Sequence, residues 1–141
     1  MTTQEGTRTA RALLGTAFTA AGIAHIVKHQ WFEQLVPESL SRYRKPISAV
    51  TAVVQIVGGA AMFVPRLRAA ARWSNLALLV PTVPAAFDQI NHPDALRKAG
   101  IPPALAPVRG VAQILVSALV WWATRPPAEK ASTIGVRQIE S

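Results

Sequence analysis

The charged residues of this chain are clustered, and long stretches between the clusters contain no Asp, Glu, Lys or Arg. The four charge-free stretches are residues 12–27, 46–65, 73–87 and 110–124. Helices of a soluble helical protein would carry charged side chains on their outer faces at nearly every turn. The pattern therefore favours helices that are surrounded by lipid rather than by water.

The lengths of these stretches match the thickness of a bilayer, which a helix of about 20 mostly apolar residues can cross. The predicted spans are residues 10–27, 47–64, 69–87 and 101–123. The second span has no charge, whereas the others require Arg11, Arg72 or Arg109 to extend toward the lipid headgroups. We therefore predict an all-α fold, an integral membrane four-helix bundle, with a soluble helical protein as the alternative.

The spans also predict the organisation of the 141-residue chain. A polar N-terminal lead would cover residues 1–9, the four-transmembrane-helix domain residues 10–125, and a polar C-terminal tail residues 126–141. The composition agrees with this division, since 50% of the residues are hydrophobic and only 16% are charged. An ordinary soluble domain has about 25% charged residues.

The first loop between the spans contains apolar residues at helical spacing. Trp31, Phe32, Leu35 and Val36 fall on one helical face just before Pro37. This spacing predicts a short interfacial helix that lies in the headgroup plane and ends at the proline. The alternative is a loop that packs on the end of the helices.

The net charge of +8 reflects basic residues placed around the spans. The side with both termini would carry eight of them: Arg8, Arg11, Arg66, Arg68, Arg72, Arg125, Lys130 and Arg137. The other side would carry seven: Lys28, Arg42, Arg44, Lys45, Arg97, Lys98 and Arg109. This bias predicts a multi-pass protein of the cytoplasmic membrane with both termini in the cytoplasm.

The same distribution argues against nucleic acid as a partner. A nucleic-acid surface combines a basic stripe with exposed aromatic residues, but Tyr43, Trp73 and Trp121 lie near span ends, as in the aromatic belts of membrane proteins. The expected partners are membrane lipids and either other membrane subunits or further copies of this chain.

The residue inventory excludes several kinds of chemistry. The chain has no cysteine, which excludes disulfides, thiolate metal sites and a Cys nucleophile. It also lacks a phosphate-binding Gly-rich loop and a nucleophile elbow. We assign no catalytic residues; the pattern favours a protein without catalytic activity of its own but leaves the question open.

Five polar residues in or near the spans are the candidate pocket, or candidate interhelical contacts: His25, Gln55, Asp88, Arg109 and Gln113. An unpaired amide in lipid costs several kcal/mol, so the amides of Gln55 and Gln113, and also Asn75, should bond to a neighbouring helix. Arg109 and Asp88 are expected to form an ion pair, with an anion or quinone-carbonyl site as the alternative.

His25 and His29 are four residues apart and would share a helix face, an arrangement that can bind zinc when a third ligand is near. His92 or Glu33 could supply that ligand, but interfacial hydrogen bonding explains the pair equally well. We assign no metal site.

Small residues and prolines indicate how the spans pack. Gly15 and Gly22 on the first span, and Gly58 and Gly59 on the second, would allow close approach of helix backbones. Two prolines in the third span, at positions 81 and 84, should kink it.

Several short motifs resemble the DoxX-like family of small membrane proteins. The resemblance rests on Gly22-Ile23-Ala24-His25, Val36-Pro37, Gln55-Ile56-Val57-Gly58-Gly59, Arg109, Gln113 and Trp121-Trp122 in this order. It implies a compact four-helix bundle in the cytoplasmic membrane, with relatives linked to quinone-dependent sulfur oxidation or to oxidative stress. Gln55 and Ala86 depart from the Glu and Asn of many relatives, which weakens a redox role.

Three hypotheses for the function follow. The first is an accessory or scaffold subunit of a larger membrane complex, respiratory or redox-related if the resemblance holds. The second is a binder of quinone or another lipid-like molecule in an intramembrane pocket, as a carrier or as a quinone-linked oxidoreductase subunit. The third is a self-associating membrane module without a ligand. No cofactor is assigned, and quinone or lipid belongs only to the second hypothesis.

Overall fold

The computed structural model describes residues 2–127, and within this range every regular element is helical. The α-helices are α1 (Thr3–Val27), α2 (His29–Glu33), α3 (Arg44–Ala61), α4 (Arg68–Asn91), α5 (Asp94–Lys98) and α6 (Ala106–Ala123). Short 3-10 turns occupy Glu38–Tyr43, Pro65–Leu67 and Pro103–Leu105. The all-α prediction is confirmed, while the predicted tail from residue 128 onward, with Lys130 and Arg137, lies outside the described residues.

Helix α1 starts within the predicted polar lead. Thr2 and Glu5 form a capping box: Thr2 Oγ1 accepts a hydrogen bond from the Glu5 amide (3.3 Å), and Glu5 Oε2 accepts one from the Thr2 amide (2.7 Å). These bonds satisfy amides at the helix start that lack intrahelical partners. The lead therefore extends the first long helix by seven residues beyond the predicted span, which starts at residue 10.

Helices α1 and α3 pack with their backbones in close contact. A Cβ atom added to Gly15 would lie 2.8 Å from the carbonyl oxygen of Gly59, and one added to Gly22 would lie 2.7 Å from that of Ala52. Because the residue numbers run in opposite directions along the contact, the two helices are antiparallel. The close approach predicted from these glycines is confirmed.

The four long helices surround one apolar core. Helix α4 packs on α6, α3 on α4, and α1 on α6, so the order around the core is α1, α3, α4, α6. The buried core residues are Leu14, Phe18, Ala61, Met62, Ala71, Leu79, Val120 and Ala123. Most of them lie toward the chain termini, which places the best-packed layer at that end of the helices.

Two of the described helical segments are long and apolar enough to cross a membrane. They are Thr3–Val27 and Pro103–Ala123. Helix α3 is not apolar enough over its length to meet this criterion, because it begins at Arg44-Lys45 and ends at Ala61, three residues before the end of the predicted span. Helix α4 runs through Pro81 and Pro84 without ending, but its charged residues lower its hydropathy.

The first loop contains a short helix, α2, but this helix ends at Glu33 rather than at the predicted Pro37, so Leu35 and Val36 lie beyond it. Part of the loop packs against other segments at this end of the protein. In α2, Trp31 Nε1 donates a hydrogen bond to the carbonyl oxygen of Ala99 (2.9 Å). Val36, which follows α2, is buried. The hydrogen bond of Trp31 and the burial of Val36 agree with the alternative interpretation, in which the loop packs on the end of the helices.

Candidate functional site

Polar and charged side chains concentrate at the two ends of the helices. We call residues 2–11, 62–72 and 121–127 the terminal end, because it contains the start of α1 and the end of α6. We call residues 25–46 and 88–109 the loop end, because it contains α2, α5 and their connections. The two ends differ in how their charges are neutralised.

At the loop end, a chain of hydrogen bonds joins three parts of the protein. Arg109 of α6 donates a hydrogen bond from Nη1 to Gln89 Oε1 of α4. Gln89 Nε2 in turn donates to the carbonyl oxygen of Leu35 in the first loop (3.4 Å). Gln89 is buried, so its amide fixes both the guanidinium and the loop at a site with little access to water.

The structure corrects the expected ion pair between Asp88 and Arg109, which does not form within the described residues. The Asp88 carboxylate is exposed and pairs with His92 on its own helix, at 3.1 Å. Successive residues of an α-helix are separated by about 100° around its axis. The side of α4 that faces Arg109 is therefore occupied by Gln89 rather than by Asp88.

The histidines each have separate surroundings. His25 stacks on Phe32 with ring centroids 3.7 Å apart, His29 pairs with Glu33 at 3.2 Å, and His92 pairs with Asp88. Within residues 2–127, no group of three or more His, Asp or Glu side chains could hold a metal ion. The considered zinc ligands are therefore not brought together.

Within residues 2–127, the amides of Asn75, Gln55 and Gln113 do not form the expected bonds between helices. Asn75 Nδ2 donates to the carbonyl oxygen of Ala71 on its own helix (2.7 Å), because the amide packs against Gly58, which has no side chain to bond. Gln55 Oε1 is buried and accepts no hydrogen bond from the described residues. For Gln113, the recorded bond is made by its backbone carbonyl oxygen, which accepts from Ser117 Oγ (2.7 Å).

A cleft of about 560 Å³ opens at the loop end, and its lining carries charges of both signs. Asp88 and His92 lie on one wall, and the Arg44–Glu38 pair (2.6 Å) lies on another. Of the five candidate residues, only Asp88 lines this cleft, and Arg109 approaches it only through Gln89. The five candidates therefore do not meet in this cleft.

At the terminal end, two arginines bind the close of α6. Arg72 Nε donates to Thr124 Oγ1 (3.1 Å), and its Nη2 donates to the Thr124 carbonyl oxygen. Arg11 Nη1 donates to the carbonyl oxygen of Ala123 (2.8 Å). The last carbonyl groups of a helix lack intrahelical partners and carry partial negative charge, so both contacts are favourable.

Sequence reasoning missed these contacts, because it placed Arg11 and Arg72 only at the headgroups. A partial signal was available in the aromatic residues that close α6. The Arg72 guanidinium lies over the Trp121 ring at 4.9 Å, and Trp121 meets Trp73 edge to face at 5.9 Å. Arginine commonly stacks on tryptophan. Which arginine lies beside which tryptophan on another helix, however, could be known only from the folded structure.

A second groove, of about 690 Å³, lies at the terminal end and is strongly basic. Four arginines line it: Arg8, Arg11, Arg68 and Arg125. Glu5 is the acidic residue in the described lining, and its carboxylate is already bonded to Thr2. All four ion pairs recorded within residues 2–127 lie at the loop end, so this groove keeps its positive charge.

Comparison with known proteins changes the family assignment. No curated protein and no solved structure matches the chain. A family model described as a domain of unknown function, DUF8561, matches residues 14–126. The resemblance to DoxX-like proteins is therefore wrong. Its motifs are short, and those with glycine are also what close helix packing such as that of Gly22 and Gly59 requires. The chain belongs to the DUF8561 family.

Proposed function

We propose that this protein is a small integral membrane protein whose four long helices all cross the bilayer, and that it serves as an accessory or scaffold subunit of a larger membrane complex. The observation that carries the proposal is a belt of exposed apolar side chains around the long helices. It includes Leu13, Ile23, Val50, Val53, Val57, Val80, Val111, Ile114, Leu115 and Leu119.

This belt is difficult to reconcile with exposure to water. Soluble monomers rarely expose contiguous apolar patches larger than a few hundred Å². Here, exposed apolar residues occur on α1, α3, α4 and α6, whereas the charged side chains lie at the two ends. Lipid chains would cover this belt without the cost that water imposes.

The packing of the helices supports the proposal that all four long helices, rather than two, lie in the membrane. Helix α3 contacts α1 backbone to backbone at Gly15 and Gly59, and Phe87 of α4 packs on Gly110 of α6. If α1 and α6 cross the bilayer, α3 and α4 lie at the same depth beside them. With 18 residues, α3 is about 27 Å long, close to the thickness of the hydrocarbon core.

The charges favour an orientation with the terminal end in the cytoplasm. Within residues 2–127, this end carries six arginines and one acid, Glu5. The loop end is also basic, but four acidic residues there pair with its cations or histidines. Unneutralised Arg and Lys in short loops are enriched on the cytoplasmic side.

The small size of the parts outside the long helices supports the proposed role as a subunit. The described parts outside the four long helices are short turns and the five-residue helices α2 and α5. The largest surface available to another membrane protein is therefore the helix faces, which include the exposed edge of the Trp73–Trp121 pair.

Membrane insertion can be tested with single cysteines, because the chain has none of its own. Gln4→Cys reports on the terminal end and Ser41→Cys on the loop end, and both positions are exposed. A membrane-impermeant maleimide should label Ser41→Cys in intact cells and Gln4→Cys only after permeabilisation. The unsubstituted chain is the control for background labelling. Release of the protein by alkaline carbonate, or labelling of both positions from one side, would contradict the four-crossing arrangement.

The subunit role requires its own experiment. Extraction in a mild detergent, followed by size exclusion and mass spectrometry, should recover the chain with a stoichiometric second membrane protein. Recovery of a homo-oligomer alone would instead support the self-associating module, and a stoichiometric quinone would support the binder.

A further inference from the structure

The basic groove at the terminal end brings four arginines together around one opening. Its arginines come from three separate segments: Arg8 and Arg11 from α1, Arg68 from the first turn of α4, and Arg125 from the end of α6. Arg8, Arg11 and Arg68 line this one groove together with Arg125, so four like charges face a common space. Bringing these cations together is unfavourable unless an anion or solvent compensates.

The guanidinium groups retain donors for a ligand. Arg11 uses Nη1 for the carbonyl oxygen of Ala123, and a guanidinium has five N–H donors in all. No ion pair is recorded within residues 2–127 for the other three arginines of the groove. Planar guanidinium groups bind phosphate oxygens in pairs, which makes arginine the preferred residue for such sites.

One wall of the groove is apolar. Trp122, Pro126 and Pro127 line it beside the arginines. Trp122 belongs to α6, whose helical segment is one of the two that are apolar enough to cross a membrane. A charged wall beside an apolar one matches a phospholipid at the boundary between its headgroup and its glycerol, where tryptophan is enriched.

We propose that this groove binds the phosphate of an anionic phospholipid headgroup. Arg8, Arg68 and Arg125 would contact the phosphate oxygens, and Trp122 would contact the glycerol region. The inference rests on the proposed membrane insertion but goes beyond it, because insertion requires no headgroup preference. Basic pockets between membrane helices on the cytoplasmic side commonly bind anionic lipids.

The lining also sets the expected selectivity. Phosphatidylglycerol carries a net negative charge, whereas the choline of phosphatidylcholine would place a cation beside the four arginines. The Glu5 carboxylate borders the groove but is bonded to both the amide and the hydroxyl of Thr2. We therefore expect phosphatidylglycerol to bind more tightly than phosphatidylcholine with the same acyl chains.

Native mass spectrometry of the full chain in detergent, titrated with each lipid, tests this proposal. Each groove arginine should contribute about fivefold in affinity, so Arg8→Gln/Arg125→Gln should weaken phosphatidylglycerol binding about 25-fold. Both positions are exposed, so folding should be retained. Arg42→Gln/Lys45→Gln removes the same charge from exposed positions at the loop end, and Arg66→Gln removes one charge beside the groove. These controls should leave the affinity unchanged.

Three results would overturn the proposal: equal binding of the two lipids, an equal loss in the control variants, or displacement of phosphatidylglycerol by inorganic phosphate at a lower concentration than the lipid itself. The last result would assign the groove to a soluble phosphate. Insertion into pure phosphatidylcholine vesicles is measured in parallel by carbonate resistance. A chain that inserts there but shows no headgroup preference contradicts only this inference, whereas a chain that does not insert contradicts the proposed function.

Discussion

The Arg72 side chain of α4 binds Thr124, the residue that caps the C-terminal end of α6, through both its hydroxyl and its carbonyl oxygen. Thr124 is buried and its hydroxyl also donates to the carbonyl oxygen of Val120 (2.6 Å). The contact therefore joins the start of one long helix to the end of its main packing partner. It closes the terminal end just beyond the apolar core layer of Ala71 and Ala123.

Removal of this contact should lower the stability of the fold. Arg72→Gln loses the hydrogen bonds to Thr124 and the stacking on Trp121, and it leaves a buried carbonyl group without its charged donor. We expect the free energy of unfolding to fall by about 2 kcal/mol, since hydrogen bonds to charged groups contribute about 1.5–3 kcal/mol. Unfolding by SDS in mixed micelles measures the change.

The matched control for this variant is Arg66→Gln, which removes an arginine from the same end. Arg66 is exposed, and no hydrogen bond from its side chain is recorded within the described residues. Its replacement should change the stability by less than about 0.5 kcal/mol. Equal effects of the two substitutions would show that general charge, rather than the contact with Thr124, stabilises this end.

The close contact of α1 and α3 predicts strong sensitivity at Gly59. In Gly59→Val, the new Cβ would lie 2.7 Å from the backbone nitrogen of Thr19, so the helices must separate. We expect a loss of about 1–3 kcal/mol, measured by the same SDS titration. Ala60→Val adds similar volume at the next, exposed position and should be tolerated. A tolerated Gly59→Val would contradict the packing described here.

Much of the helix arrangement could be predicted, because local chemistry marks it. The predicted first span ends at residue 27, as α1 does, and the fourth ends at residue 123, as α6 does. Basic residues follow both ends, at Lys28 and Arg125. The glycine contacts could also be predicted, since a pair of small residues such as Gly58 and Gly59 has few uses in a helix other than close packing.

Partners across helices could not be predicted in the same way. A shift of one residue turns the side chain by about 100°, so Asp88 and Gln89 are nearly equivalent in the sequence but face different neighbours. Charge complementarity favoured Asp88, whereas the packing of α4 on α6 selects Gln89. The arginine contacts at the end of α6 were missed for a related reason, since their acceptors are backbone carbonyl groups that every residue carries.

The contact between Trp31 and Ala99 predicts that α2 protects the connection after α5. Trp31→Phe keeps the ring but loses the hydrogen bond to the Ala99 carbonyl oxygen (2.9 Å), which should be worth about 1 kcal/mol. Local opening should then increase about fivefold, and trypsin should cleave after Lys98 correspondingly faster. Trp73→Phe, at the opposite end, should leave this rate unchanged, and an unchanged rate in Trp31→Phe would contradict the protective role.

The bond between Arg109 and Gln89 predicts that stability depends on the amide rather than on the neighbouring acid. Gln89→Leu leaves the guanidinium of Arg109 without this acceptor at a part-buried site and should cost about 1–3 kcal/mol. Asp88→Asn removes only an exposed pair with His92 and should cost less than about 1 kcal/mol. SDS titration of Gln89→Leu, Arg109→Leu and Arg109→Leu/Gln89→Leu forms a double-mutant cycle, in which the second loss should be smaller once the first partner is gone. A larger loss of stability for Asp88→Asn than for Gln89→Leu would contradict this prediction and favour the ion pair between Asp88 and Arg109 that charge alone suggests.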